Sequence, residues 1–209
     1  GKGTIAQRCV HDLGYAMLST GDLLRKHISE QTEFGKQLAT YVEAGHLIPD
    51  ELMTDMVLGW LRGQLAPGHT VILDGFPRTK GQAGLLLKAL GDDSAFLNTN
   101  FKVVNFDLDP EEIISRISNR LVCSNKKCQA VYSAVAKKPK QEGVCDLCGS
   151  PVIRRQDDDE SIIRERLVVF AKYKNDLLGF YKEAGQEVIE FAIPAGSPDV
   201  VFEAFSKKL

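Results

Sequence analysis

The sequence has no long apolar run, no strong charge of one sign and almost no histidine, and each shortage narrows what the chain can be. Its longest apolar stretches, such as Leu85-Leu86-Leu87, fall far short of the ~20 residues that cross a bilayer. No basic-then-apolar segment opens the chain, so no secretory leader is expected and the default reading is a cytoplasmic protein without membrane association. A formal charge of −2 over 209 residues excludes a globally basic nucleic-acid binder. Only a local cluster, Lys126, Lys127, Lys137, Lys138 and Lys140, leaves an anion site open. The four histidines, His11, His27, His46 and His69, form no nucleophile–base pattern. Internal repeats and low-complexity linkers are missing as well. What is present, 44% hydrophobic and 26% charged residues, suffices for one main globular domain with a real core.

Apolar periodicity predicts helices over 5–13, 23–28, 34–44, 51–65, 82–90, 111–120, 161–184 and 198–207, and strands over 15–18, 71–73, 103–108 and 187–193. Strands that alternate with helices imply an α/β fold with a doubly wound parallel sheet. Two stretches stand apart: an all-helical insertion over 19–48 and a Lys-, Cys- and Gly-rich segment over 119–158. Both leave from the carboxyl end of a strand or from the helix after it, the side on which open α/β sheets bind ligands. They read as covers over a site.

Three local patterns carry chemistry. Gly1-Lys2-Gly3-Thr4 fits the second half of G-x-x-x-x-G-K-[ST], a loop whose backbone N–H groups and Lys cradle phosphates after a buried strand. Taken alone, four such residues read equally well as a flexible terminus. Asp74-Gly75-Phe76-Pro77-Arg78 puts a carboxylate at a strand tip, where it can hold Mg²⁺ through waters, and then an Arg whose planar fork can grip phosphate. The plain alternative is a strand-to-loop turn with a solvated Arg. Cys123, Cys128, Cys145 and Cys148 form C-x4-C and C-x2-C knuckles separated by sixteen residues. Four thiolates at such spacing suit a closed tetrahedral Zn²⁺ site, with an iron site or plain thiol pairs as alternatives. The fifth cysteine, Cys9, lies in the first helix and reads as a small core residue.

Taken in order, Ser19-Thr20-Gly21-Asp22-Leu23-Leu24-Arg25, Ala44-Gly45-His46-Leu47-Ile48-Pro49-Asp50-Glu51, Leu73-Asp74-Gly75-Phe76-Pro77-Arg78-Thr79 with Gln82, and Asp157-Asp158 followed by Arg166 resemble the motifs of adenylate kinases of the long-lid type. The resemblance covers essentially the whole chain. It implies the fold of P-loop nucleoside monophosphate kinases, with a core of residues 1–18, 49–118 and 159–209, an AMP-binding insertion over 19–48, and a zinc-ribbon-like lid over 119–158. It also implies an upstream segment supplying a central strand and the first turn of the phosphate loop. Thr20, Arg25, His46, Leu47, Ile48, Gly75, Phe76, Pro77, Arg78 and Gln82 match the AMP-binding positions, with Arg155 and Arg166 reaching the same nucleotide. Gly1, Lys2, Gly3 and Thr4 match the P-loop. Arg116, Arg120, Arg155 and Arg166 match the phosphate-clamping arginines which, with Lys2 and Arg78, form the catalytic set. Arg120, Val131 and Tyr132 fall where the lid touches ATP, and Ser197 lies in a loop that aligns loosely with the last ATP contact. Many zinc-bearing lids use C-x2-C in the first knuckle, so the two extra residues here are a departure.

The implied reaction is reversible, Mg²⁺-dependent transfer of a phosphoryl group from ATP to AMP, with structural Zn²⁺ in the lid, no nucleic-acid partner and a monomeric protein. An AMP phosphate oxygen is already ionised, so this reaction needs positioning and charge stabilisation and no general base. That matches a chain rich in placed arginines and poor in histidine. Asp157 and Asp158 either orient lid arginines or mark a hinge and helix start. Two rivals stand beside this reading: another nucleoside monophosphate kinase, such as a UMP/CMP kinase or a GTP:AMP phosphotransferase, and a zinc-ribbon nucleic-acid-binding protein. The second leaves Asp74 to Arg78 unexplained.

Overall fold

The computed structural model describes residues 1–43, 48–64, 69–96, 99–125, 128, 130–155 and 158–209. His46, Leu47, Asp157, Lys126 and Lys127, singled out from the sequence, lie outside the described residues. The chain divides into two units, Gly1–Phe106 with Tyr173–Leu209, and Asp107–Lys172.

The first unit alternates helices and strands. Helix α1 (Lys2–Leu13) ends at Gly14, whose φ of 71° lies in the left-handed region that glycine adopts without steric cost, and whose N–H closes on the Cys9 carbonyl. Strand β1 (Ala16–Ser19) runs into α2 (Thr20–Ser29) and α3 (Glu33–Glu43), followed by α4 (Asp50–Gln64), β2 (Val71–Asp74), α5 (Lys80–Asp92) and β3 (Lys102–Asp107). The carboxyl-terminal part of helix α7 (Glu160–Glu183), strand β7 (Glu187–Ala192) and α8 (Pro198–Ser206) complete the unit. β1 and β2 are parallel, with Ala16 opposite Val71 and Ser19 opposite Asp74, so their carboxyl ends lie side by side. β3 pairs with β7, and among the described residues the two pairs are not bonded to each other.

The side-chain period of a strand decides the layering. Val71 and Leu73 pack on a core built from Leu18, Met53, Val57, Leu58, Leu61, Phe76, Leu86 and Phe96. Ile72, pointing the other way, packs on Ile5, Cys9, Phe191, Val201, Phe202 and Phe205. β2 is thus covered on both faces, by α4 and α5 on one side and by α1 and α8 on the other, as a doubly wound sheet requires. Cys9 is fully buried in the second cluster, the core position expected of it.

The second unit contains α6 (Pro110–Ser118), a three-stranded antiparallel sheet and the start of α7. The sheet has the order β5-β4-β6, from β4 (Arg120–Cys123), β5 (Val131–Ser133) and β6 (Val152–Ile153). Asp109 caps α6 by accepting the Glu111 and Glu112 N–H groups, and Pro110 occupies the first helical turn. Helical periodicity carries α6 on to Arg120. In the structure the helix stops at Ser118, Asn119 caps it, and Arg120 opens β4, because Arg120 to Val122 pair with Ser133 to Val131. α1 and α2 each begin three residues earlier than their periodicity suggests. Their polar first turns, Lys2-Gly3-Thr4 and Thr20-Gly21-Asp22, carry no apolar signal.

Candidate functional site and metal centre

The parallel pairing of β1 and β2 brings three helix starts together. At the tip of β2, Asp74 lies beside the first turn of α1: a side-chain carbon added at Gly3 would stand 3.8 Å from Asp74 Oδ2. The Gly1 carbonyl accepts the Ile5 N–H at 3.1 Å, so the amides of Lys2, Gly3 and Thr4 precede the helical ladder and point outward from the positive end of the helix. Such a terminus favours a phosphate, and the exposed Lys2 adds a full positive charge. The nearby carboxylate can serve a Mg²⁺ that travels with that phosphate.

The second helix start belongs to α2. Ser19 caps it, and Thr20, 1% exposed, places its hydroxyl to donate to the Gly75 carbonyl at 3.1 Å. Gly75 has a φ of 88°, and a side-chain carbon there would lie 2.9 Å from Thr20 Oγ1, so only glycine fits this turn. The third start is α5. Arg78 donates its Nε–H to the Gly75 carbonyl at 2.8 Å and its backbone N–H to Gln82 Oε1 at 2.8 Å. Because the donor is an N–H, the amide of Gln82 faces it with oxygen, and its nitrogen is the end left for a ligand. Phe76, joined to Pro77 by a cis peptide bond, anchors the loop in the core. Ile48 packs against that same cluster. Arg25 pairs with Asp22 along α2.

In the second unit Arg120 and Asp158 form a two-pronged pair, with Nε donating to Oδ2 at 2.8 Å and Nη2 to Oδ1. Asp158 is 8% exposed. Asp158 thus holds the Arg120 guanidinium, the contact that the arginine-orienting reading of this residue requires. Arg116 pairs with Glu112 one turn back on α6, Arg155 is half-buried after β6, and Arg166 lies on the exposed side of α7. Arg164 instead grips Glu111 at 2.8 and 3.1 Å and Glu160 at 3.0 Å, tying α6 to α7. Ser197, in the first unit, caps α8 by accepting the Val200 N–H.

The four cysteines converge. Their sulfurs lie within 4.8 Å of one another, with Cys123 and Cys148 at 3.4 Å and Cys128 and Cys145 at 3.7 Å. Sulfurs at ~2.3 Å from a tetrahedral centre stand about 3.8 Å apart, so the set fits Zn²⁺ without rearrangement of the fold and leaves no position for substrate. Val131 lies on β5 opposite Val122. The next residue, Tyr132, is buried with its hydroxyl 3.4 Å from Cys145 Sγ, while accepting the Asp146 N–H at 2.8 Å. Burial pushes the Tyr132 hydroxyl up to about 12, so at neutral pH it keeps its proton and donates. That hydrogen bond is the main cause holding the Cys145 thiol below its ordinary value. The Ser150 hydroxyl brings Cys148 down to about 6, while burial raises Cys123 to about 12. The Tyr132 side chain, 4% exposed, is thus committed to the cysteine cluster.

Comparison with known proteins places the chain in a family. A family profile described as adenylate kinase matches residues 1–186. The chain belongs to the adenylate kinase family. It is 42% identical over 186 residues to an adenylate kinase of Zymomonas mobilis, covering 88% of this chain and 81% of that protein. An adenylate kinase of Caldicellulosiruptor saccharolyticus is 38% identical over 185 residues, 88% of this chain and 83% of its own. One from Petrotoga mobilis is 35% identical over 206 residues, 99% of this chain and 91% of its own.

Several of the residues that the family's motifs pick out are brought together by the fold. Thr20, Gly75, Arg78 and Gln82 come together in one hydrogen-bonded cluster, while Gly3, next to Lys2 in the first turn of α1, lies beside Asp74. Thr79 and Asp50, which stand inside those motifs without an assigned role, complete the first cluster. A signal exists for Thr79: Thr79-Lys80-Gly81-Gln82 has the spacing of a capping box, and the Thr79 hydroxyl does accept the Gln82 N–H. Tyr132 and Asp158 act through side chains whose partners lie 13 and 38 residues away in sequence, and no local pattern announces such pairs.

Proposed function

We propose that this chain catalyses reversible transfer of a phosphoryl group from MgATP to AMP, yielding two ADP, and so helps to balance adenine nucleotides. The observation that carries the proposal is the joint placement, at the carboxyl ends of β1 and β2, of the α1 amino terminus with Asp74 and of the Thr20–Gly75–Arg78–Gln82 cluster. The first suits a nucleoside triphosphate and the second a monophosphate. Bound Mg²⁺ supplies charge neutralisation on the triphosphate, and Asp74 is the residue that would hold it through water. Lys2 and the α1 amides fix the donor phosphates. Arg78 fixes the acceptor phosphate and matches the charge that spreads over the transferred group. Gln82 and Thr20 read the adenine and close the base pocket with Ile48. Arg116, Arg120, Arg155 and Arg166 complete the clamp, Arg120 presented by Asp158. Residues 19–48 serve as the AMP-binding insertion and 119–158 as the lid, whose four cysteines hold a structural Zn²⁺.

A coupled assay of ADP formation tests this, with ATP and GTP as donors and AMP, CMP and UMP as acceptors. The expected result is Mg²⁺-dependent turnover with ATP and AMP preferred. A preference for CMP or UMP as acceptor would remove Thr20 and Gln82 from adenine recognition and point to the UMP/CMP kinase reading.

A further inference from the structure

Between α4 and α5 lies a hydrogen-bonded chain that ends on the proposed AMP ligands. Asp50, the first residue of α4, accepts the Thr79 hydroxyl at Oδ2, 2.8 Å away. Thr79 is the N-cap of α5 and accepts the Gln82 N–H at 3.1 Å. Gln82, 6% exposed, in turn accepts the Arg78 N–H at Oε1. The Asp50 end is fixed as well, because Thr54, 2% exposed, donates its hydroxyl to the Asp50 carbonyl at 2.7 Å.

A hydroxyl has one proton and must choose where it goes. For Thr79 to accept the Gln82 amide, that proton must leave the helix axis, and the Asp50 carboxylate is the acceptor that takes it. An anionic acceptor also makes the hydroxyl oxygen a better cap. A second observation points the same way. A side-chain carbon added at Gly81 would stand 2.3 Å from Asp50 Oδ2 and 3.3 Å from Cγ. Gly81 is therefore the gap through which the carboxylate reaches the start of α5.

We propose that Asp50 is a positioning residue for the acceptor site: through Thr79 it fixes the first turn of α5, and with it the orientation of the Gln82 amide and the Arg78 backbone. The inference rests on reading Arg78 and Gln82 as AMP ligands. Asp50 itself touches no substrate, so its removal acts on acceptor binding and leaves the donor side alone.

Asp50→Ala should raise KM for AMP about tenfold, a step of ~1.4 kcal/mol, with KM for ATP unchanged, and Asp50→Asn, which keeps an acceptor, should recover most of the loss. Gly81→Ala should reproduce the defect by displacing the carboxylate, yet add nothing in the Asp50→Ala background, since the displaced group is already gone. In the same variants, hydrogen exchange at the Arg78 and Gln82 amides should quicken several-fold while the amides of α8 keep their protection. Unchanged exchange at those two amides, or additive effects of the two substitutions, would overturn the proposal. If the unmodified protein transferred no phosphoryl group to AMP, the functional reading alone would fall, and the exchange experiment would still decide the role of Asp50.

Discussion

The two units hold their working side chains in place by different means. In the first, Arg78 sits on a loop pinned by Phe76 and Gln82 on the first turn of α5, and behind them Leu86 of α5 and Val57 of α4 have no exposure at all. Burial of side chains of this size contributes about 1.5–3 kcal/mol each, so the loop is fixed by an apolar core and by hydrogen bonds within it. In the second, the buried cluster around the sheet consists of Cys123, Tyr132 and Cys145, with Leu121, Cys128, Ala130 and Val152 partly buried against it. Leu147 is 77% exposed and Val135 72% exposed. With so little apolar material inside, the three short strands rely on polar crosslinks: four sulfurs, the Tyr132 hydroxyl and the Arg120–Asp158 pair. Where a core exists, side chains are held by hydrogen-bond geometry on top of it; where it does not, an ion pair and a four-thiol cluster suited to a metal stand in for it.

The largest effect should come from the first unit. Arg78→Ala is expected to lower kcat/KM by ~10²–10³ with the melting temperature unchanged, because it removes one preorganised charged donor and no core contact; steady-state kinetics beside a thermal melt check both halves. Lys at this position should rescue only in part, since it lacks the planar fork. Next, Cys145→Ser with Cys148→Ser should abolish stoichiometric zinc and lower the unfolding temperature. The rate should fall only modestly at temperatures where the lid stays folded. Loss of activity with no loss of stability would place the metal in the chemistry and erase the contrast between the units. Asp158→Ala should then destabilise the second unit by about 2 kcal/mol, less than the 3–5 typical of a fully buried pair because the Arg120 side chain keeps 26% of its exposure. Denaturant unfolding monitored within 119–158 measures this.

Smaller still is the effect of Tyr132→Phe. It removes the hydrogen bond to Cys145 while keeping the ring, and it should weaken zinc binding by ~10-fold in a chelator competition. The sign of the pH dependence follows from the thiols. At pH 7 Cys123, raised to about 12, and Cys128, also raised, hold their protons, whereas Cys148, lowered to about 6, has largely lost its own. Zinc binding at pH 7 should therefore release about two to three protons and not four, and affinity should fall as pH drops. Calorimetry in buffers of different ionisation heats counts them.

The contrast between the units also explains what the sequence could tell. Gly75 and Arg78 are legible because they sit at a strand tip, where turn chemistry is local, whereas Thr20 and Gln82 stand out only through the family's motifs. The cysteine knuckles are legible because their spacing is local too. The antiparallel sheet of the second unit is not, since its strands are two to four residues long and too short for alternation to register. The apolar period of α6 continues past its end as far as Arg120, and only pairing with β5 breaks it. Asp50, Tyr132 and Asp158 each depend on a partner brought near by folding. Their side-chain types are ordinary in the sequence, and it is distance in space that gives them a role.

Hydrogen exchange, followed residue by residue on the zinc-loaded protein and on the same protein after chelation under reducing conditions, tests the central contrast most directly. Protection across 119–158 should collapse on metal removal while the amides of α1, α5 and α8 keep theirs, including Gln82. Equal protection of the second unit with and without metal, or a collapse that spreads through α5, would contradict the account.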